Sequence, residues 1–389
     1  MKTVRVGVIG VGGMGSTHAR MIAAGQVPGM TLAAVCDIDE SKLQGYGPDV
    51  KTFTDSKKLI RSGDVDAVIV ATPHYGHTTI GIDAMEQGLH LLTEKPISVH
   101  KADAERLIAA RKNKKQVFAA MFNMRTDPYH ITLRDLIQSG QLGQITRINW
   151  IVTHWYRTQA YYDNGGWRAT WKGEGGGVLL NQCPHNLDLW QWFFGMPKSV
   201  RAFCGIGKYH TIEVEDDVTA YMEYANGATG VFVTTTGEAP GTGRLEIAAE
   251  NGRVILENGV LTWKKNTVGQ AEFCRTSTQG FAAPGTWDIT IPVYSNGAWG
   301  SQHCEILKNF TNAILNGEKL IAPAEEGIRS VELANAMLYS SFTGKTVDMP
   351  LSASAYETHL KKLIKNSTFK KKSEGAAKVV DMTASFKKA

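Results

Sequence analysis

Apolar residues in the first third of the chain fall into short runs, several of them closed by glycine or proline. Val4 to Ile9 is a β-branched run of the kind that forms a strand buried on both faces, and Thr17 to Ala24 has the spacing of a helix. Further strand-like runs lie at Thr31 to Cys36, Asp66 to Ala71, His90 to Thr93 and Gln116 to Met121, with helical stretches at Thr78 to Gln87 and Lys101 to Lys112. Strands alternating with helices predict a parallel, doubly wound sheet.

The pattern changes near residue 125. A helix, Tyr129 to Ser139, and a strand, Gln144 to Val152, lead into an aromatic-rich stretch, then an apolar helix from Leu189 to Phe194 stopped by Gly195 and Pro197. Strand-like runs follow at Val200 to Cys204, Val218 to Tyr224, Thr229 to Thr235, Leu245 to Ala249, Val254 to Leu256 and Val260 to Lys264. Asn226-Gly227, Asn251-Gly252 and Asn258-Gly259 suit hairpin turns between them. This predicts an open, mostly antiparallel sheet of about five or six strands, covered on one face by helices and bare enough on the other to pair with a second copy. Two late helices are expected, His303 to Leu315 and Ala324 to Ser340, the second returning to the first domain. The expected organisation is an α/β domain over residues 1–125, an α+β domain over 126–350, and a basic tail over 351–389, which beyond Leu363 is expected to be a short helix and then loosely ordered chain.

Composition adds limits. At 389 residues the chain exceeds one ordinary core, and 43% hydrophobic with 20% charged residues is typical of a soluble globular protein. No apolar run approaches the ~18 to 20 residues that cross a bilayer. The N-terminus enters a strand directly, and the five cysteines are scattered without a CxxC pair, so a reduced, cytoplasmic setting is expected. The net charge of +5 resides in the tail, where nine lysines face three acids from Leu351 onward, leaving −1 for the rest. Lys370-Lys371-Lys372 and Lys387-Lys388 carry no interleaved aromatics and read as solubilising charge, with no nucleic-acid or membrane partner expected.

Gly10-Val11-Gly12-Gly13-Met14-Gly15 stands between the first strand and the first helix as G-x-G-x-x-G. Glycines there permit a tight turn and close approach of a pyrophosphate to the helix N-terminus, and Asp37, 22 residues after Gly15, stands where a carboxylate grips the adenosine ribose. The set predicts a Rossmann domain binding NAD, favoured over NADP because Asp37 repels a 2′-phosphate; Lys42 nearby blurs that preference. A glycine turn that binds nothing is the alternative. Two other strand ends carry polar groups, Thr72-Pro73 with His77, and Glu94-Lys95-Pro96.

The stretch from Gly173 to Asp188 follows a crowd of aromatics and cations that includes Tyr156, Arg157, Trp167 and Arg168. Such a crowd suits sugars, whose C–H faces stack and whose hydroxyls need fixed polar partners. Arg157 and Arg168 could bind an acidic substituent or anchor the loop. Asn181, His185 and Asp188 would share one face if the stretch were helical throughout, although Pro184 suits a first turn and would leave Asn181 near the cap. His303 is either a substrate ligand or an ordinary helix-start residue. The acidic cluster from Glu213 to Asp217 has no accompanying histidine pair, so no metal is expected and it reads as solvated charge or strand-end capping.

The glycine turn, Ala71-Thr72-Pro73 with His77, and Glu94-Lys95-Pro96 together resemble the Gfo/Idh/MocA family of nicotinamide-dependent sugar and cyclitol oxidoreductases. The resemblance covers Val4 to about Leu351. It implies a cis peptide before Pro96, a lysine at position 95 that reaches the active site, and an open sheet used for a dimer or tetramer. It also implies a glycine run followed by Asp-x-x-x-His, which His185 matches while position 181 is asparagine. Lys95 and His185 then become the proton-handling pair, with Asn181, Trp167, Arg168, Arg157, Tyr156 and His303 toward substrate. Gly10, Gly12, Gly13, Met14, Gly15, Asp37, Thr72, Pro73, His77, Glu94, Lys95 and Asn123 lie toward the cofactor. Expected activities are hydride transfer with a secondary alcohol of a sugar, glycoside or cyclitol, or a glycosidase that oxidises its sugar transiently. A non-catalytic sensor is the rival from another class, and Lys95 paired to Glu94 at the surface is the bland reading of that lysine.

Overall fold

The first apolar run forms the middle of a sheet because neither of its faces meets water. In the computed structural model, which describes residues 2–293 and 301–371, Val4, Val6 and Val8 are fully buried. Lys372, Lys387 and Lys388 of the expected tail lie outside the described residues. The first domain runs β1 (Val4–Ile9), α1 (Gly13–Ala23), β2 (Met30–Cys36), β3 (Lys51–Phe53), α2 (Ser56–Ile60), β4 (Ala67–Val70), α3 (His74–Glu86), β5 (His90–Thr93), α4 (Lys101–Ala110) and β6 (Phe118–Ala120). Its six strands are parallel in the order β3-β2-β1-β4-β5-β6. The order reverses between β1 and β4, so the carboxyl ends of those strands flank the crevice where such sheets take ligands. The short β3 and α2 carry too little periodicity to register in the sequence.

The second domain continues with α5 (Pro128–Gln138), β7 (Ile145–Val152), α6 (Gln159–Asp163), α7 (Pro184–Phe194), β8 (Ser199–Ile206), β9 (Glu215–Glu223), β10 (Thr229–Thr235), β11 (Gly243–Ala249), β12 (Gly252–Glu257), β13 (Val260–Asn266), α8 (Gln270–Thr276) and β14 (Thr286–Ile291). After α9 (Ser301–Asn316) and α10 (Gly327–Thr343) come β15 (Val347–Asp348) and α11 (Ala353–Asn366). The sheet has nine strands, in the order β14-β13-β12-β11-β7-β10-β9-β8-β15, where about five or six were expected. β7 sits in the middle and pairs parallel with β10, every other pairing being antiparallel. β14 escapes sequence reading because it is exposed along almost its whole length and so lacks the alternation of a half-buried strand.

Trp190 of α7 is fully buried beneath this sheet, its indole N–H donating to the Tyr224 hydroxyl at 2.7 Å. The domains interlock. Phe310 and Leu307 of α9 join the core of the first sheet, while α10 lies against β8 and α7 and reaches α4 through a Lys101 to Glu332 ion pair of 2.8 Å. Arg125 meets Asp188 of α7 at 2.6 Å, with each side chain only 1% exposed.

Candidate active site

The glycine turn is built for close approach. Gly10 has φ +88°, and a Cβ there would lie 2.7 Å from the Ala71 carbonyl oxygen; a Cβ on Gly15 would come within 1.8 Å of the Gly10 oxygen. Around Gly12, by contrast, a Cβ would meet nothing within 4 Å, so the turn is open where a pyrophosphate would rest. No acidic residue occupies the first turn of α1, and Gly13 and Met14 begin that helix half-buried. Asp37, at the end of β2, accepts from the Val11 and Asp39 amides at 3.0 Å each, which aims its carboxylate at the turn. Lys42 Nζ lies 3.6 Å away. These residues fit a dinucleotide.

The other strand ends hold each other. His77 places Nδ1 2.7 Å from the Pro96 oxygen and Nε2 2.8 Å from the Thr72 oxygen, so it joins the loops after β4 and β5, with Pro73 capping α3. The Lys95-Pro96 peptide is cis. Glu94 is buried and meets His18 Nε2 at 2.7 Å. Burial works against its charge, but the His18 hydrogen bond and charge, followed by the charge of Lys95, bring its pKa down to about 2. Asn123 donates to Gln302 at 3.1 Å, while its buried Oδ1 has no partner among the described residues.

Lys95 Nζ reaches across the domain boundary and donates to the Asn181 carbonyl at 2.8 Å. Burial lowers its pKa, Glu94 raises it, and Arg168 lowers it again. His185 occupies the first turn of α7 directly after Pro184, edge-on to Phe122 at 6.3 Å. Burial, then the charge of Lys95, push its pKa well below the usual imidazole range, and its Nδ1 has no partner among the described residues. His303 stands 5.9 Å from the His18 ring, its pKa brought to about 4 by burial and then by His18.

Of the two placements the sequence left open for Asn181, the one set by Pro184 forms, and the face shared with His185 and Asp188 does not. The helix starts only at Pro184, so Asn181 lies in the turn before it, and Asp188 is consumed by Arg125. Asn181 instead turns its amide toward the aromatic stretch: Nδ2 donates to Glu174, and Oδ1 accepts from the Tyr161 hydroxyl at 3.2 Å. Arg168 donates to that same hydroxyl at 2.8 Å and stacks on the Tyr161 and Trp167 rings at 4.8 and 4.6 Å. Arg157 lies over Tyr161 at 5.1 Å, and Trp167 meets His74 edge-on at 5.3 Å. Trp171 and Tyr162 are core residues, and Tyr156 is 48% exposed, with no ring contact among the described residues.

Two expectations about charge are corrected. Glu215 and Asp216 are not solvated but fully buried: Asp216 accepts from the Lys208, Tyr209 and His210 amides, and Glu215 accepts from the Leu179 amide at 3.0 Å, bracing the glycine run. Nor is all of the basic tail solvated, because Lys371 Nζ donates to the Gly165 carbonyl and, at 3.0 Å, to the Arg168 carbonyl. Sequence reasoning also missed His18 as part of the site. Only the sheet order could have found His18, by placing α1 beside the end of β5. Among the described residues no group of three or more His, Cys, Asp or Glu side chains could hold a metal ion, and no helix is long and apolar enough to cross a membrane.

Comparison with known proteins agrees with the fold. Residues 4–122 match the oxidoreductase family with an NAD-binding Rossmann fold, and residues 130–255 match the GFO/IDH/MocA C-terminal domain. An uncharacterised oxidoreductase, YdgJ of Escherichia coli K12, is 31% identical over 201 residues, 51% of this chain and 55% of that protein. An inositol 2-dehydrogenase of Salmonella typhimurium is 33% identical over 147 residues, 36% of this chain and 44% of that protein. The chain thus spans about half the length of the curated relatives it matches. Among solved structures, the WlbA dehydrogenase from Bordetella pertussis in complex with NADH and UDP-GlcNAcA shares the fold, with TM-score 0.74 and 24% identity, covering 90% of this chain and 100% of that one.

Proposed function

Because the chain belongs to the Gfo/Idh/MocA family of NAD-binding oxidoreductases, we propose that it acts on a secondary alcohol of a sugar, glycoside or cyclitol, with Lys95 and His185 handling the hydroxyl proton. The observation that carries this reading is the 2.8 Å bond from Lys95 Nζ to the Asn181 carbonyl, which holds an ammonium of the first domain against the second beside His185. NAD, when bound, supplies the hydride acceptor. The glycine turn and Asp37 would hold it, with Thr72, Pro73 and the open Oδ1 of Asn123 toward its other end.

The remaining work falls to side chains. Burial lowers the Lys95 pKa, so the ammonium can donate a hydrogen bond to an alkoxide and gives up its proton more readily than an exposed lysine. His185 is held neutral and can accept one. Asn181 cannot titrate and serves to orient. Trp167, Tyr161 and the stacked Arg168 offer ring faces and donors suited to a polyol, and Arg157 with Arg168 could take an acidic substituent. A relative named as an inositol 2-dehydrogenase supports that class. Phe203 and Tyr221, exposed on the outer sheet face, support a homo-oligomer, and five unpaired cysteines support a cytoplasmic setting.

The test is NADH absorbance on mixing the protein and NAD with a panel of sugars, glycosides and cyclitols. Turnover of at least one polyol is expected, and Lys95→Ala should abolish it while NADH still binds; retained turnover removes Lys95 from the mechanism. Hydrolysis of a glycoside with no accumulated NADH would transfer the site to the redox-neutral glycosidase instead.

A further inference from the structure

Glu174 is a carboxylate without an assigned task. It is 1% exposed, and it forms no salt bridge among the described residues. Its Oε2 accepts from the Ala169 amide at 2.6 Å, and its Oε1 accepts from Asn181 Nδ2. Neutral side chains could satisfy two such donors, whereas a buried carboxylate without an ion-pair partner is costly to keep; burial raises its pKa, opposed by the charge of Arg168 and by the Ala169 and Asn181 hydrogen bonds. The neighbouring hydrogen bonds fix which way the Asn181 amide points. Oδ1 accepts from Tyr161 and from Gln182, at 3.2 Å each, so Nδ2 must face Glu174. The main-chain carbonyl of the same asparagine accepts from Lys95. One residue therefore carries Lys95 at its backbone and Glu174 at its side chain.

We propose that Glu174 is the anionic positioning residue of this site: its carboxylate locks the Asn181 amide and supplies the negative charge from the second domain that Lys95 faces across that residue. The proposal rests on the reading of Lys95 as a proton-handling group. The carboxylate stands seven residues before Asn181 and touches its side chain. The charged and titratable groups around the pair are Arg168, Lys371, Tyr162 and Glu215 on the Glu174 side, and Glu94, Arg157, Arg168, His74, His77, Cys183, His185 and His303 on the Lys95 side. Glu94 opposes Lys95 from the first domain, and Glu174 does so from the second. Removing the Glu174 charge leaves Arg168 and Arg157 less opposed, which favours neutral Lys95.

The test reads Lys95 directly. Protein carrying 13C-labelled lysine is titrated by NMR, with the Lys95 signal assigned through Lys95→Arg. The Lys95 midpoint is expected to fall by about one pH unit in Glu174→Gln and to return toward the parent value in the double variant Glu174→Gln/Asn181→Asp, which restores a carboxylate within the same pair. In steady-state assays the kcat/KM limb assigned to Lys95 should move by the same amount while NADH affinity stays unchanged. An unmoved midpoint in Glu174→Gln overturns the proposal, as does a double variant that behaves like the single one. A midpoint that moves in a protein oxidising no polyol would sustain the Glu174 to Lys95 coupling and remove only the proposed reaction.

Discussion

His18 and Glu94 meet at 2.7 Å across 76 residues of sequence, one on the helix that follows the glycine turn and the other at the end of β5 beside Lys95. The second Glu94 oxygen accepts from the Lys95 amide at 3.2 Å, so the carboxylate ties the cofactor helix to the lysine turn. Removing His18 leaves that carboxylate buried against a single amide. His18→Ala should cost about 3–5 kcal/mol of stability and weaken NADH binding, measured by urea denaturation and fluorescence titration. Because the Glu94 pKa is held down near 2, its stabilising share is present above about pH 4.5 and fades as pH falls toward 2. The variant should lose that acid-side slope, and an unchanged slope would show that His18 does not set it.

Asp37 and Lys42 compete over the ribose end of the cofactor crevice. The carboxylate is anchored by two amides, while Lys42 Nζ sits 3.6 Å from both Asp37 and Asp39 and is a third exposed. A fixed negative charge should outweigh a mobile positive one, so NAD should bind more tightly than NADP. Asp37→Ser frees Lys42 for a 2′-phosphate and should erase roughly tenfold or more of that preference. Calorimetric titration of both cofactors checks it; equal affinities in the parent protein would defeat the assignment.

How much could be read from the residues follows from how local each signal is. The glycine turn, Asp37 and the Glu94-Lys95-Pro96 corner lie at strand ends whose order a βαβ repeat dictates, so their convergence was legible. Pro184 likewise told that Asn181 would sit near the cap, but the side-chain partners of Asn181 were not legible, because Glu174 and Tyr161 reach it only on folding. Glu215 and Asp216 misled for a similar reason. Five consecutive residues containing four acids read as solvated charge or strand-end capping; the capping half holds, since loop amides from Leu179 and from Lys208 to His210 converge on two of those acids at the start of β9, and the solvated half fails because they are buried.

Glu215 gives that burial a measurable consequence. Burial raises its pKa to about 7, partly offset by amide donors that include those of Gly177 and Leu179, and Glu174 adds repulsion; Oε2 has no partner among the described residues. The folded protein therefore binds a proton at Glu215 that the unfolded chain releases near pH 4.5. Stability should fall as pH rises from about 4.5 to about 7 and level off above, a contribution on the order of 3 kcal/mol. Glu215→Gln keeps an acceptor for the Leu179 amide and cannot titrate, so its Tm should vary less between pH 5 and pH 8, by about the share this carboxyl supplies. Parallel pH profiles for parent and variant would mean that Glu215 is ionised throughout.

Lys371 places the tail against the loop that bears Trp167 and Arg168. Its ammonium bridges the carbonyls of Gly165 and Arg168, two residues that flank Trp167, and burial lowers its pKa while Glu174 raises it. Ser367, four residues earlier, donates to Glu213, whose other oxygen accepts from the Trp171 amide at 2.9 Å, so the same strap grips the loop twice. Lys371→Ala removes two charge-assisted hydrogen bonds that hold the loop bearing Arg168, and nothing at the glycine turn. It should raise KM for the polyol by roughly tenfold with NADH affinity unchanged, and truncation after Asn366 should do at least as much. Steady-state kinetics beside cofactor titration separate the two effects. Equal loss of both affinities would place the strap in the general stability of the fold, and no loss in either would return the tail to the role of solvated charge.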